Sequence, residues 1–132
     1  MPGAVLRVDG SKSAIQRFLT ATRIKPHRVY LKGEPMSPRS AVSARHSYFL
    51  VMASNAQGDD FERQTREVGR FLKRHMKDLR ALASHRLHAV IDFGVLDTRT
   101  AANPLLSWRF PITLCDLMTK AGVEAELSIY KR

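Results

Sequence analysis

SYFLVMASNAQGDDFERQTREVGRFLKRHMKDLRALASHRLHAVIDFGVL, residues 47–96, is the stretch on which the fold turns. It opens with Tyr48-Phe49-Leu50-Val51-Met52, a continuous apolar run. Such a run suits a strand covered on at least one face. Asn55-Ala56-Gln57-Gly58 then reads as a turn. From Asp59 to about Ser84 the apolar residues Phe61, Val68, Leu72, Met76, Leu79 and Ala83 fall on one helical face. Asp59, Asp60 and Glu62 complement the positive end of the helix dipole, and Gly69 is the weak point of the helix. Leu87 to Leu96 reads as another strand. The stretch is therefore strand, long helix, strand.

Upstream, Ala4 to Val8 reads as a strand closed by Asp9-Gly10. Ser11 is a good N-cap for a helix over 12–22, with Ala14, Ile15, Phe18 and Leu19 at helical spacing. Pro26 stops it, and Arg28 to Lys32 is a second strand ending at Gly33. Glu34 to Arg45 carries Pro35, Pro38 and several serines, and reads as a long loop. Downstream, Asp97 to Asn103 is a loop and Ser107 to Phe110 a short strand. Pro111 starts a helix to Ala121 with Leu114, Leu117 and Met118 inward. Gly122 caps it, and Ala125 to Tyr130 is the last strand. The order predicts one α+β domain over 1–132. It is a ferredoxin-like (split β-α-β) antiparallel sheet with helices on one face, extended by a C-terminal helix and strand.

A chain of 132 residues with 44% hydrophobic and 26% charged residues builds a core without disulfides or metals. Its single cysteine, Cys115, lies between Leu114 and Leu117 and reads as a buried, inert thiol. Arg7 and Asp9 interrupt the start, so no secretory signal is expected. No apolar run reaches the length of a membrane span, and a cytoplasmic location follows. The net charge is +10. Nine Lys/Arg stand against two Asp/Glu in residues 1–58, and thirteen against ten in 59–132. That balance directs attention to acidic partners.

No catalytic, cofactor or metal constellation is expected. The histidines His27, His46, His75, His85 and His88 are scattered; only His85 and His88 are close, and nothing near them completes a metal ligand set. Asp92 and Asp97 could share acid–base work only if their environments separated their pKa values. Asp92 reads instead as a solvent-facing strand residue.

Two surfaces remain. Arg63, Arg66, Arg70, Lys73, Arg74, Lys77 and Arg80 project opposite the apolar face of the long helix, over an arc of roughly 120°. Glu62 with Arg66, and Glu67 with Arg70, are spaced for local ion pairs, as on an ordinary solvated face. The stripe could also follow a phosphate backbone, though the local ion pairs favour a solvated face and no RNA-binding aromatic signature accompanies it. The 34–45 loop, with Glu34, Met36, Arg39 and Arg45, is either a recognition segment or a tolerated insertion.

Ile24-Lys25-Pro26 after the first helix, Lys32-Gly33-Glu34 closing the second strand, the Ser47-Tyr48-Phe49-Leu50 strand and Ser128-Ile129-Tyr130 at the end form a pattern. In these segments the chain resembles a widespread bacterial family catalogued as a domain of unknown function, sometimes discussed near contact-dependent toxin immunity proteins. Tyr48 stands where tryptophan is expected in many relatives. The resemblance implies an α+β fold and supplies no catalytic residues. Together with the absence of catalytic motifs it leads to the expectation of a non-enzymatic domain acting through a protein partner, with an immunity-like role. Nucleic-acid binding by the basic stripe is the alternative.

Overall fold

The structure, a computed structural model, describes residues 3–131; Met1, Pro2 and Arg132 of the expected domain lie outside the described residues. The elements are β1 (Ala4–Gly10), α1 (Lys12–Ala21), β2 (Arg28–Tyr30), β3 (Ser47–Ser54), α2 (Phe61–Arg80), β4 (His88–Leu96), α3 (Ile112–Ala121) and β5 (Glu124–Tyr130). They form one five-stranded sheet in the order β2-β3-β1-β4-β5. The β2–β3, β3–β1 and β1–β4 pairs are antiparallel. The expectation of an antiparallel sheet needs one correction: β5 runs parallel to β4, so the sheet is mixed. The cause is α3, which carries the chain back across the layer so that the next strand starts at the same end.

Register explains the layering. Leu6 lies opposite Val51 on one side and Ile91 on the other, and Val8 lies between Phe49 and Ala89. Side chains alternate along a strand, so these residues share one face. That face is buried in a single core with Ile15 and Phe18 of α1, Val68 and Leu72 of α2, and Leu114 and Met118 of α3. All three helices therefore cover the same side of the sheet. On one side of the core the buried Phe93 meets Phe61 at 5.6 Å and the half-buried Phe110 at 5.3 Å, and Phe61 meets Phe110 at 5.1 Å edge-on.

Local chemistry sets the helix ends. Ser11 accepts the Ala14 amide and Asp60 accepts the Arg63 amide, each capping a helix. Helix α3 ends at Gly122, whose φ of +70° is open to glycine at little cost. Helix α2 stops at Arg80, short of the expected Ser84. The remaining residues tighten into a 3-10 turn at Ala83–His85 and reverse at Arg86 in a left-handed conformation. Ser107 to Phe110, read from sequence as a short strand, pairs with no strand among the described residues. Its side chains Trp108 and Phe110 pack on the core from outside the sheet.

Two glycines provide a paired test of this packing. A Cβ on Gly3 would stand 2.6 Å from the Ser54 carbonyl oxygen, which is backbone and cannot swing away. Gly3→Ala is expected to lower the unfolding free energy by about 1–3 kcal/mol. A Cβ on Gly69 would meet Leu117 Cδ1 at 3.9 Å, an ordinary contact. Gly69→Ala therefore removes a helix-interior glycine without a clash and is expected to add about 0.5–1 kcal/mol. Urea midpoints of the two variants should move in opposite directions; an unchanged or higher midpoint in Gly3→Ala would contradict the packing at Gly3, and a lower one in Gly69→Ala the space at Gly69.

Candidate functional site

Helix α2 places its core side on Phe61, Gln64, Thr65, Val68, Phe71, Leu72 and Leu79, all buried. Sequence reading missed Phe71 and the two polar residues. Gln64 is buried because its amide nitrogen donates to the Gly94 carbonyl at 2.6 Å, tying α2 to β4. With that side fixed, Arg63, Arg66, Arg70, Lys73, Arg74, Lys77 and Arg80 are all exposed on the outer face.

The stripe divides into two parts. At its N-terminal end Arg66 pairs with Glu62 at 3.4 Å and Arg63 with Glu67 at 3.1 Å. Glu67 thus takes Arg63 rather than the expected Arg70. It also accepts the Ser54 hydroxyl at 2.7 Å, and that bond, ahead of Arg63, holds its carboxyl below the ordinary glutamate range. Among the described residues no carboxylate lies within ion-pair distance of Arg70, Lys73, Arg74, Lys77 or Arg80. These five cations are spaced three and four residues apart, where like charges repel by a few tenths of a kcal/mol per pair.

Beside them runs a groove of about 320 Å³ lined by Met52, Ser54 and Asn55 from β3 and its exit, and by Glu67, Arg70, Phe71 and Arg74 from α2. A second groove of about 510 Å³ lies at the start of α2, between Phe61, Glu62 and Thr65 and the extended segment carrying Trp108 and Arg109.

The 34–45 loop is more ordered than its composition suggests. Gly33 and Ala44, Glu34 and Ala44, and Met36 and Val42 are joined by backbone hydrogen bonds of 2.9 Å, and Pro35 bridges Ser43. The loop folds back on itself as an arm held by one isolated β-bridge. Glu34 pairs with Lys12 of α1 at 3.5 Å, Met36 is half-buried, and Arg39 and Arg45 are exposed. Among the described residues no hydrogen bond or ion pair joins this arm to the α2 stripe, so the structure does not unite the two expected surfaces.

The uncovered face of the sheet holds a cluster that sequence reading did not single out. Tyr30 and Tyr48 stack at 4.7 Å, and His46 lies 5.1 Å from Tyr48. The Arg28 guanidinium donates to the Tyr30 hydroxyl at 3.2 Å. Burial, then the neighbouring Tyr30 and Asp9, push the Tyr48 phenol up. Toward β5 the same face turns acidic: Arg7 is shared by Asp9 and Glu126, and His88 lies 3.5 Å from Glu124. The only available signal was the strand alternation, which puts Tyr30 and Tyr48 opposite each other once their pairing is known.

Several expectations about chemistry are resolved by position. Cys115 is exposed on α3, not buried, because Leu114 and Met118 take the inward positions and turn it outward. His85 packs edge-on against Phe18 at 5.5 Å while His88 faces Glu124 across the strands, so the two diverge. Asp92 accepts the Ser128 hydroxyl at 2.7 Å. Asp97 is gripped by Arg99, with side-chain bonds of 2.8 and 2.9 Å and a backbone bond of 3.1 Å. These bonds, the side-chain ones first, hold the Asp97 carboxyl down at about 2.

That depression has a sign. A carboxylate held below its unfolded value stabilises the fold above that value and loses the effect as pH falls through the folded one. The Asp97–Arg99 contribution is thus complete above about pH 4 and fades toward pH 2. An NMR titration of Asp97 should give a midpoint near 2, rising toward the ordinary aspartate value in Arg99→Ala. A midpoint unmoved by that change would contradict the assigned cause.

A mixed sheet covered on one side by three helices defines the class: an α+β domain without a membrane-crossing helix among its described residues. Residues 3–132 match the family described as domain of unknown function DUF4279, and the chain belongs to that family. No curated protein and no solved structure matches it.

Proposed function

We propose that this chain is a non-enzymatic binding domain that holds an acidic protein partner on the outer face of α2. The observation that carries the reading is the row Arg70, Lys73, Arg74, Lys77 and Arg80, exposed and without carboxylate partners among the described residues. An ordinary solvated helix pairs such charges at i, i+4, as this one does over its first two turns with Glu62 and Glu67. Beyond them the positive charge is left for something outside the chain. The resemblance to a family sometimes discussed near toxin immunity proteins suggests the form of the role: occupying a partner protein in the cytoplasm.

The element order and the β2-β3-β1-β4 pairing support reading the first six elements as a ferredoxin-like split β-α-β unit, with α3 and β5 as the extension.

Nucleic acid is the second reading, favoured by the net charge of +10 and the length of the stripe. Geometry weighs against it. The Tyr30–Tyr48–His46 cluster, which could stack bases, lies on the face of the sheet opposite α2. A single strand with its phosphates on the stripe could not reach that platform. Capture from cells with the intact chain as bait, with and without nuclease, separates the readings. A protein should be retained after nuclease and lost from an Arg70→Glu/Lys73→Glu/Arg74→Glu bait. Retention of nucleic acid alone would overturn the proposal.

A further inference from the structure

The sheet has two open edges, and they differ in charge. Strand β5 has no neighbour on its outer side among the described residues and carries Glu124 and Glu126. Strand β3 is the other case. Its outer neighbour β2 is only three residues long and pairs with Tyr48 to Leu50. Val51 to Ser54 continue for four residues, paired with β1 on the inner side and with no strand on the outer side among the described residues. The chain entering β2 leaves this edge free: the His27 amide still bonds the Leu50 carbonyl, but the Arg23 amide bonds the Asp78 carboxylate of α2.

Unpaired strand edges are templates for another extended chain. This one borders the groove containing Arg70, Phe71 and Arg74. Met52, which also borders the groove, is 47% exposed and alternates with the buried Val51 and Ala53 toward the other side of the same edge. Glu67, the one acid in the groove, is already engaged by Ser54 and Arg63, so the net charge offered there is positive.

We propose that Val51–Ser54 receives an extended acidic segment of the partner protein as an added strand. This rests on the binding role inferred above and specifies its geometry. Main-chain hydrogen bonds to β3 supply attachment, and alternate side chains supply specificity. On the helix side, acidic side chains reach Arg70 and Arg74 while small apolar ones lie against Phe71. On the opposite side, an apolar side chain covers Met52. The acidic β5 edge repels the same segment, so β3 is selected.

Display selection from a random-peptide library against the intact chain tests this. Selected peptides should carry Glu or Asp at alternate positions and slow amide exchange within 51–54. Methylating alternate peptide nitrogens should abolish binding. Arg70→Glu/Arg74→Glu should weaken it about tenfold, the scale of a lost exposed charge-assisted contact. Peptides that slow exchange only around Trp108 or β5, or that bind equally well when methylated, would overturn the proposal. So would a solution mass that rises with concentration and is reduced by Arg70→Glu/Arg74→Glu, since the occupant would then be β5 of a second copy. A nuclease-resistant partner that is lost from the charge-reversed bait but leaves exchange at 51–54 unchanged would remove strand addition and leave the binding role standing.

Discussion

Phe93→Ala is expected to destabilise the fold by about 3–5 kcal/mol and to lower the melting temperature by roughly 10–20 °C. Phe93 is fully buried on β4, between β1 and β5, and its ring is shared by Phe61 at the start of α2 and Phe110 before α3. Truncation removes the apolar area of the ring and opens a cavity that rigid strands on both sides cannot fill. It also removes two aromatic contacts, each worth about 0.5–1.5 kcal/mol beyond area. A domain of this size is stable by only about 5–15 kcal/mol, so the loss is a large share. Trp108, the single tryptophan, sits two residues from Phe110 and reports the damage through its fluorescence. Phe110→Ala, at a half-buried position, should cost less than Phe93→Ala. Equal losses would mean that the segment around Trp108 carries more of the core than the structure assigns it.

The second large effect is on binding. Reversing Arg70, Lys73 and Arg74 to glutamate should weaken partner binding at least about 100-fold, on the order of 3 kcal/mol. Each change removes an attraction and substitutes a repulsion against an acidic surface. Folding should be preserved, because all three side chains are exposed. The changes set opposite charges at 66/70 and 73/77, while positions 70, 73 and 74 stay like-charged with one another and position 70 meets Glu67 and position 74 Asp78, so gains and losses at helical ion-pair spacing offset each other. Stability should therefore hold within about 0.5 kcal/mol. Reversal of Arg63 and Arg66 should have a smaller effect on binding, because Glu67 and Glu62 already neutralise them.

Periodicity made much of this fold readable in the chain. The apolar repeat of α2, the continuous runs of β3 and β4, and the Gly122 cap of α3 are local signals, and the structure places those elements there. What was not readable depends on contacts distant in sequence. The parallel β4–β5 pairing is invisible in either strand, because direction is set by the path of the intervening chain. Ser107 to Phe110 has strand-like alternation, but its residues serve the outer wall of the core instead. The end of α2 carries no Gly or Pro stop, so its transition to a 3-10 turn at Ala83 escaped notice.

The candidate surface was legible in part for the same reason. The seven cations share a helical period and could be placed on one face from the sequence. Their division into paired and unpaired groups required rotamers: Glu67 turns to Ser54 and Arg63, which frees Arg70. The Tyr30–Tyr48 stack and the bare β3 edge required the strand register. The exposure of Cys115 required the placing of Leu114 and Met118 in the core.

The most direct measurement is calorimetric titration of the captured partner into the intact chain, into the Arg70→Glu/Lys73→Glu/Arg74→Glu variant, and into Tyr48→Ser and Trp108→Ala controls. The account expects the affinity to fall about 100-fold or more in the charge-reversed variant and to change less than about threefold in the two controls. Unchanged affinity on charge reversal, with loss in Tyr48→Ser or Trp108→Ala, would move the site off α2 and contradict the account.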